Sequence, residues 1–278
     1  MKKLLKTAAK AALVGAGLYA WAQAPRRNHP GLSKLRGYRY AHRGLHDLEQ
    51  GIAENTMPAF RRAVEHGFGA ELDVHITKDG QLVVIHDSRL ERLCGVNMVV
   101  EDLTYAELCR LPILGTEETA PLFADVLKVF EGKTPLIVEL KSWNGNGDML
   151  SAAVNLMLKT YAGDYCIESF DPRVVRWFRQ NSPETVRGQL AYDYVHRSTS
   201  RTAPERFALT HMLFNFGVRP DFVAYSYPDR ETLPVQTACG LMGAQEVSWT
   251  IRSLEDMHKA EAAGAIVIFE NFIPPHEM

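Results

Sequence analysis

Residues 71–87 read ELDVHITKDGQLVVIHD. Two apolar runs flank Asp79–Gly80, a pair that favours a tight hairpin turn. Parallel neighbours cannot be joined by so short a link. The spacing therefore predicts that Leu82–His86 returns antiparallel to a strand at 69–77. With the turn centred on Asp79–Gly80, Asp73 and His86 fall opposite one another. Glu71 and Asp73 lie two apart, so on a strand their side chains share a face. Two inward carboxylates in an apolar strand are unfavourable unless a cation or base neutralises them.

On both sides of this stretch, short β-branched runs alternate with helical patterns. Strands are predicted at 37–42, 135–140, 165–169, 186–190, 221–225, 245–250 and 265–269. Helices are predicted near 57–66, 122–131, 148–161, 172–181, 203–215, 229–239 and 253–263. Alternating βα units imply a parallel sheet. Eight strands in about 240 residues fit a (β/α)8 TIM barrel better than an open doubly wound sheet. Neither GxGxxG nor GxxxxGK[ST] occurs, so the usual nucleotide loops are missing.

In a barrel the carboxyl ends of the strands converge on one mouth. Glu139, in PLIVELK, ends an apolar strand there, with Lys141 on its face. Glu71, Asp73 and Glu139 together suit one hard, oxygen-preferring divalent cation, Mg2+ or Ca2+. The competing reading is a set of buried ion pairs such as Glu139 with Lys141. His42 and Arg43 end the first strand in YAHRGL, where Gly44 lets the chain turn. His86 ends the return strand. Two histidines at one mouth can divide general-base and general-acid work, and Arg43 and Lys141 can balance phosphate oxygens. Asn55 or Thr56 can cap the helix that follows, whereas capping leaves Glu54 unexplained, either a surface side chain or a support for the site. Trp249, in VSWTI, is read as core packing or as an aromatic wall for a small polyol. For His75 the pattern leaves open a place in the site or a bystander's place on the hairpin.

The 278 residues are 46% hydrophobic and 23% charged, globular proportions that exclude a disordered or collagen-like chain. Four well-separated cysteines give no thiolate zinc spacing. Residues 1–39 carry nine basic and no acidic side chains, so the rest of the chain is strongly acidic. Such a body does not suit nucleic-acid binding, which rests on a basic surface. At the amino terminus four lysines precede AALVGAGLYAWAQA, 11–24, an uncharged apolar run. As a helix it would reach roughly 21 Å, against a hydrocarbon core of roughly 30 Å. A membrane anchor with snorkelling lysines, a cleaved secretory signal ending near Ala22 and Ala24, and a helix packed on the domain all fit. The first places the protein at a membrane, the second outside it. Residues 25–36 read as a basic linker and 37–278 as the barrel domain. The stretch 196–220, Arg-rich at its start and aromatic at its end, reads as an amphipathic packing helix or as a face for a membrane or another chain.

These motifs resemble the glycerophosphodiester phosphodiesterases. AHRG at 41–44, ENT at 54–56, the stretch 71–87, VELK at 138–141 and SWT at 248–250 match the family's signature in order and spacing. The resemblance implies a phospholipase-C-like phosphodiesterase barrel that cleaves glycerophosphodiesters to glycerol 3-phosphate and an alcohol. It implies His42 and His86 as catalytic residues and Glu71, Asp73 and Glu139 as metal ligands. Arg43 and Lys141 would meet the phosphate, with Glu54 and Asn55 in support. Where the family often carries an aspartate after the last strand, this chain has Glu270–Asn271. Lysophospholipase D or phosphoinositide-type lipase activity is the alternative within the same barrel. A phosphoglycerol-binding membrane protein without activity is the alternative outside enzymes.

Overall fold

The computed structural model describes residues 2–198 and 200–275. Its framework is a closed parallel barrel. The strands are β1 (Tyr40–Ala41), β2 (Gly69–Ile76), β3 (Leu82–Val84), β4 (Leu136–Leu140), β5 (Tyr165–Ser169), β6 (Arg187–Ala191), β7 (Phe222–Ser226), β8 (Gln245–Ile251) and β9 (Ile266–Phe269). Parallel pairing runs β1–β2–β4–β5–β6–β7–β8–β9, and β9 pairs with β1 to close the ring. The (β/α)8 expectation holds, with the first strand shorter than predicted.

β3 is the antiparallel return of β2, as the Asp-Gly signal implied. Its register differs by one residue from the expectation. Val74 pairs with Val84 and Ile76 with Leu82, and the Ile85 amide donates to the Asp73 carbonyl. Asp73 thus faces Ile85 rather than His86. The cause is the turn: Thr77 and Gln81 close a three-residue loop, with Gly80 at φ 81°. A three-residue loop ending in a left-handed glycine shifts the pairing relative to a two-residue turn.

Helices fill the outer layer by amphipathic packing. Met57–Glu65 buries Ala59, Phe60 and Ala63, and the Phe60 ring meets Phe130 edge-on at 6.0 Å. Each such buried ring contributes roughly 1.5–3 kcal/mol. Pro172–Asn181 starts where the Asp171 carboxylate accepts from the Arg173 amide and buries Val174, Val175 and Phe178. Between β3 and β4 the chain makes an excursion that the sequence pattern did not announce. It has its own small core of Ile85, Leu90, Leu93, Val100, Leu108 and Ile113.

The amino-terminal apolar run is helical within a longer helix, α1 (Lys2–Gln23). No helix among the described residues is long and apolar enough to cross a membrane, so the spanning form of the expected anchor is not supported. The four lysines of its first half dilute the apolar stretch. Residues 25–36 are not a free tether either. Arg26 forms an ion pair with Asp221 at 2.5 Å. Leu32 and Leu35 are buried with Tyr40, Phe222 and Ile266, and the Tyr40 hydroxyl donates to the Leu35 carbonyl. Basic composition suggested a linker, but two leucines three apart put one face of a short helix into the core.

Candidate active site

β2 delivers Glu71 and Asp73, β4 delivers Glu139, and Asp73 and Glu139 are direct neighbours across the ladder. All three are buried, and each offers a carboxylate oxygen within 4.8 Å of the others. Oxygens that share one ion at roughly 2.0–2.6 Å lie within about 5 Å of each other, so the donor set fits a single hard divalent cation. Glu168 on β5 lies beside Glu139 in register. It is buried, and its Oε2 has no hydrogen-bond partner.

The electrostatics are those of crowded acids. Burial, then repulsion from Asp73, Glu139 and Glu168, pushes the Glu71 carboxyl well above its usual value. Burial, then Glu139 and Asp73, does the same to Glu168. Burial also raises Glu139, which Lys141 only partly offsets. Asp73 goes the other way. Burial opposes its charge, but Lys141, His86, Arg43 and the Asn55 amide hold it well below the usual carboxylate range. The Lys141 ammonium lies 3.0 Å from Asp73 and 2.9 Å from Glu139. Arg43 Nε lies 3.7 Å from Asp73. Four carboxylates thus share two permanent cations, which leaves negative charge for a metal to balance.

Each expected histidine has its own carboxylate. His42 continues β1, its amide bonded to the Phe269 carbonyl at 2.9 Å. Its Nδ1 lies 2.5 Å from Glu270 Oε2, and its Nε2 lies 3.9 Å from Glu71 Oε2. Burial pushes the His42 imidazole down to about 4, although Glu270 pulls the other way. Burial would raise Glu270, but His42 and Arg252 bring it down to about 2. A neutral His42 therefore donates from Nδ1 to Glu270 and keeps the Nε2 lone pair. His86 Nδ1 bonds Asp87. Burial opposes the Asp87 charge, but hydrogen bonds from His86 and Arg92 keep it low.

Arg43 and Asn55 shape the floor between these groups. Both have φ 57°, left-handed for side chains that disfavour it, and the Asn55 amide donates to the Arg43 carbonyl at 2.9 Å. Gly44 follows at φ 77°, and a Cβ there would lie 2.9 Å from the Ala59 backbone. This turn aims the Arg43 amide at Glu71 (3.2 Å) and its guanidinium at Glu54 (2.7 Å). Asn55 Nδ2 donates to Asp73 at 2.7 Å, so its side chain serves the site and not the helix cap. Thr56 occupies the cap position, but its hydroxyl donates to the Ala53 carbonyl. Glu54 is held between Arg43 and Arg92, whose guanidinium groups donate to its carboxylate.

Trp249 packs edge-on against Phe170 at 5.6 Å, and Lys141 Nζ sits 5.8 Å from the centre of the Phe170 ring. His75 is a hairpin residue. It is fully buried, with Nδ1 2.7 Å from Glu101 and Nε2 3.2 Å from the His86 carbonyl. The sequence reading missed four participants: Glu168, Arg92, and Asp87 and Glu270 as histidine partners. Glu168 carried a usable signal, since CIES is a further apolar run ending in an acid.

A cavity of about 1140 Å³ opens from Glu139 and Lys141 over Ser169 and Phe170. Arg176, Arg201, Leu209, Phe214 and Phe216 also line it.

A parallel barrel whose mouth gathers buried acids, two carboxylate-backed histidines and phosphate-competent cations defines a class of metal-ready phosphate-handling barrels. The chain matches the glycerophosphoryl diester phosphodiesterase family over residues 42–274 and belongs to it. It is 29% identical over 238 residues to a glycerophosphodiester phosphodiesterase of Caldanaerobacter subterraneus, covering 81% of this chain and 89% of that one. It is 39% identical over 125 residues to a lysophospholipase D of Rattus norvegicus, covering 40% of this chain. The match spans only 38% of that relative's length. Among solved structures, an Oleispira antarctica phosphodiesterase in complex with sn-glycerol 3-phosphate superposes with TM-score 0.70 at 22% identity, over 86% of this chain and 94% of that one. A glycerophosphodiester phosphodiesterase from Thermotoga maritima gives 0.64 at 25% identity, over 83% and 92%.

Proposed function

We propose that the protein hydrolyses glycerophosphodiesters to sn-glycerol 3-phosphate and an alcohol, with one divalent cation, Mg2+ or Ca2+, held by Glu71, Asp73 and Glu139. The observation that carries this reading is the pairing of two histidines with separate carboxylates at one buried acidic cluster. A binding protein has no need of two such pairs. The barrel at 37–278 is the catalytic unit, with 276–278 outside the described residues, and 1–24 and 25–36 precede it.

His42, neutral and oriented by Glu270, accepts the proton of the attacking hydroxyl at Nε2. His86 delivers a proton to the departing alkoxide, and Asp87 fixes its ring through Nδ1. Arg43 and Lys141 meet the charge that grows on the phosphoryl oxygens. Glu71, Asp73 and Glu139 would hold the cation, which would supply Lewis-acid charge to offset the repulsion between nucleophile and phosphodiester. Trp249 and Phe170 form the apolar wall beside the polyol. The attacking hydroxyl in this scheme is the substrate's own glycerol hydroxyl, which expels the alcohol and gives a cyclic glycerol phosphate. Water then attacks the phosphorus, His86 taking its proton and His42 returning one to the departing glycerol oxygen, and the ring opens to sn-glycerol 3-phosphate. The deciding assay measures release of sn-glycerol 3-phosphate from glycerophosphocholine and glycerophosphoethanolamine, with added Mg2+ or Ca2+ and with chelator. No release from any member of the panel with either metal overturns the reading.

The apolar part of the cavity lining favours a second reading, lysophospholipase D activity. That cavity is larger than a glycerophosphodiester headgroup requires, and Leu209, Phe214 and Phe216 in its lining suit an acyl chain.

A further inference from the structure

α1 stands largely outside the packed body. Every described side chain from Lys2 to Leu18 is exposed, including Leu13 at 77% and Leu18 at 61%. Only its last turns are seated. The Tyr19 hydroxyl meets His211 Nδ1 at 2.6 Å, Trp21 stacks on Phe216 at 5.7 Å, and Gln23 is buried. The segment beneath carries its own exposed rings, Phe207, Phe214 and Phe216. An exposed apolar surface of this extent is unusual for a protein without a partner.

Charge identifies the occupant. α1 carries Lys2, Lys3, Lys6 and Lys10 and no acidic residue, and Arg27 follows it. A parallel second copy of the helix would bring the same lysines together and an antiparallel one would leave them unpaired, whereas an anionic lipid surface satisfies both the lysines and the leucines. The uncharged part of the helix, residues 11–23, covers roughly 20 Å, too little for a bilayer core of roughly 30 Å. The lysines lie within residues 2–10 and the uncharged turns follow them, so the lysines meet lipid headgroups while the exposed apolar turns enter the interface. The aromatic edge beneath it also borders the cavity that holds Glu139 and Lys141, because Phe214 and Phe216 belong to both.

We propose that α1, together with the Phe207, Phe214 and Phe216 edge, is a docking face for an anionic lipid surface. The active-site cavity opens beside it, so lipid-borne glycerophosphodiesters reach Lys141 and Glu139 without leaving the interface. Docking stands on the surface alone; only this kinetic consequence rests on the hydrolase reading.

The test is co-sedimentation of the full chain with vesicles of phosphatidylcholine, with and without about 30% phosphatidylglycerol, since basic segments respond to anionic lipid. The wild-type protein partitions onto the anionic vesicles at least about tenfold better than onto neutral ones. Lys6→Gln with Lys10→Gln lowers that partition on the order of 20-fold. Leu13→Glu with Leu18→Glu returns the protein to the supernatant. All these positions are exposed and none lines the cavity, so turnover of water-soluble glycerophosphocholine is unchanged. A wild-type protein that stays in the supernatant overturns the proposal. So does sedimentation of the leucine variant at the wild-type level, or an α1-dependent dimer without vesicle binding. Vesicle binding with no turnover of any glycerophosphodiester supports docking and removes the hydrolase reading alone.

Discussion

His42 and Glu270 are 228 residues apart in the chain and 2.5 Å apart in the barrel, Nδ1 to Oε2. β1 and β9 are the first and last strands of the ring, and their pairing places the two residues side by side. Glu270 also takes Arg252 on its other oxygen, at 2.6 Å, so its carboxylate is fixed before it meets the imidazole.

Glu270 is therefore a positioning residue for the base. His42→Ala removes the base and lowers kcat by about 10²–10⁴-fold. Glu270→Gln keeps the shape, but its amide can present an N–H to Nδ1 and favour the wrong tautomer. It is expected to lower kcat by on the order of 10²-fold with KM nearly unchanged. A Glu270→Gln enzyme with wild-type kcat refutes the dyad. Unchanged far-UV circular dichroism separates this loss from misfolding.

The pH profile follows from burial. The base must be neutral, and burial brings His42 down to about 4 rather than the ordinary 6.5. At saturating metal, protonation of His42 is thus expected to lower kcat/KM only well below pH 6, since a cation beside it disfavours the charged imidazole further. The same shift bears on stability. Between pH 4 and 6.5 the unfolded chain binds the His42 proton more readily than the folded chain does, so this group lowers stability as pH falls through that window and contributes no penalty above it. A limb centred near 6.5 in the kinetic profile argues against a buried neutral His42.

Glu71 supplies a prediction that runs against intuition. Its carboxyl is pushed well above the usual 4.5. The folded apo protein therefore loses stability as pH rises from about 4.5 through that raised value, because ionisation there is opposed by neighbouring acids. Glu71→Gln in chelator should melt higher than the wild type at pH 8, and the gap should close towards pH 4.5. Metal reverses the order. At a hundredfold excess over Kd it stabilises the wild type by about 2.7 kcal/mol, a rise of roughly 5–10 °C for a domain of this size. The variant should show little of that rise. Differential scanning calorimetry with and without metal reads both effects. An equal metal response in the two proteins removes Glu71 from the ligand set.

The sequence carried the parts of this site that repeat with strand parity. Glu71 and Asp73 share a face because a strand alternates, and Glu139 ends its strand by the same rule. Applied to CIES, that rule also reaches Glu168. The hairpin was legible from Asp79–Gly80, but its register was not, since a tight turn of two or three residues can use the same pair. Glu270 and Arg92 were not legible because their roles depend on which strands and loops become neighbours. Composition misled at 25–36, where charge hid two buried leucines.

Arg92 gives the last prediction. It lies in the excursion after β3 and donates to Glu54 through both terminal nitrogens at 2.8 Å and to Asp87 through Nε at 2.7 Å. It thereby ties the carboxylate behind His86 to the one behind Arg43. It is nearly half exposed and touches neither the Glu71, Asp73 and Glu139 cluster nor His42, so its loss leaves the metal ligands and the base in place. Arg92→Met frees Glu54 and Asp87 together. Asp87 then loses one of the hydrogen bonds that keep it ionised, and Arg43 keeps Glu54 without the competing cation. The expected result is a kcat loss of about tenfold with metal affinity unchanged, because a charge-assisted hydrogen bond contributes roughly 1.5–3 kcal/mol before solvent screening. Arg92→Lys should recover only part of the loss, since one ammonium cannot form the forked contact to both acids. Wild-type kcat in Arg92→Met would reduce Arg92 to a surface ion pair. A parallel fall in metal affinity would place its effect on the acidic cluster instead of on His86.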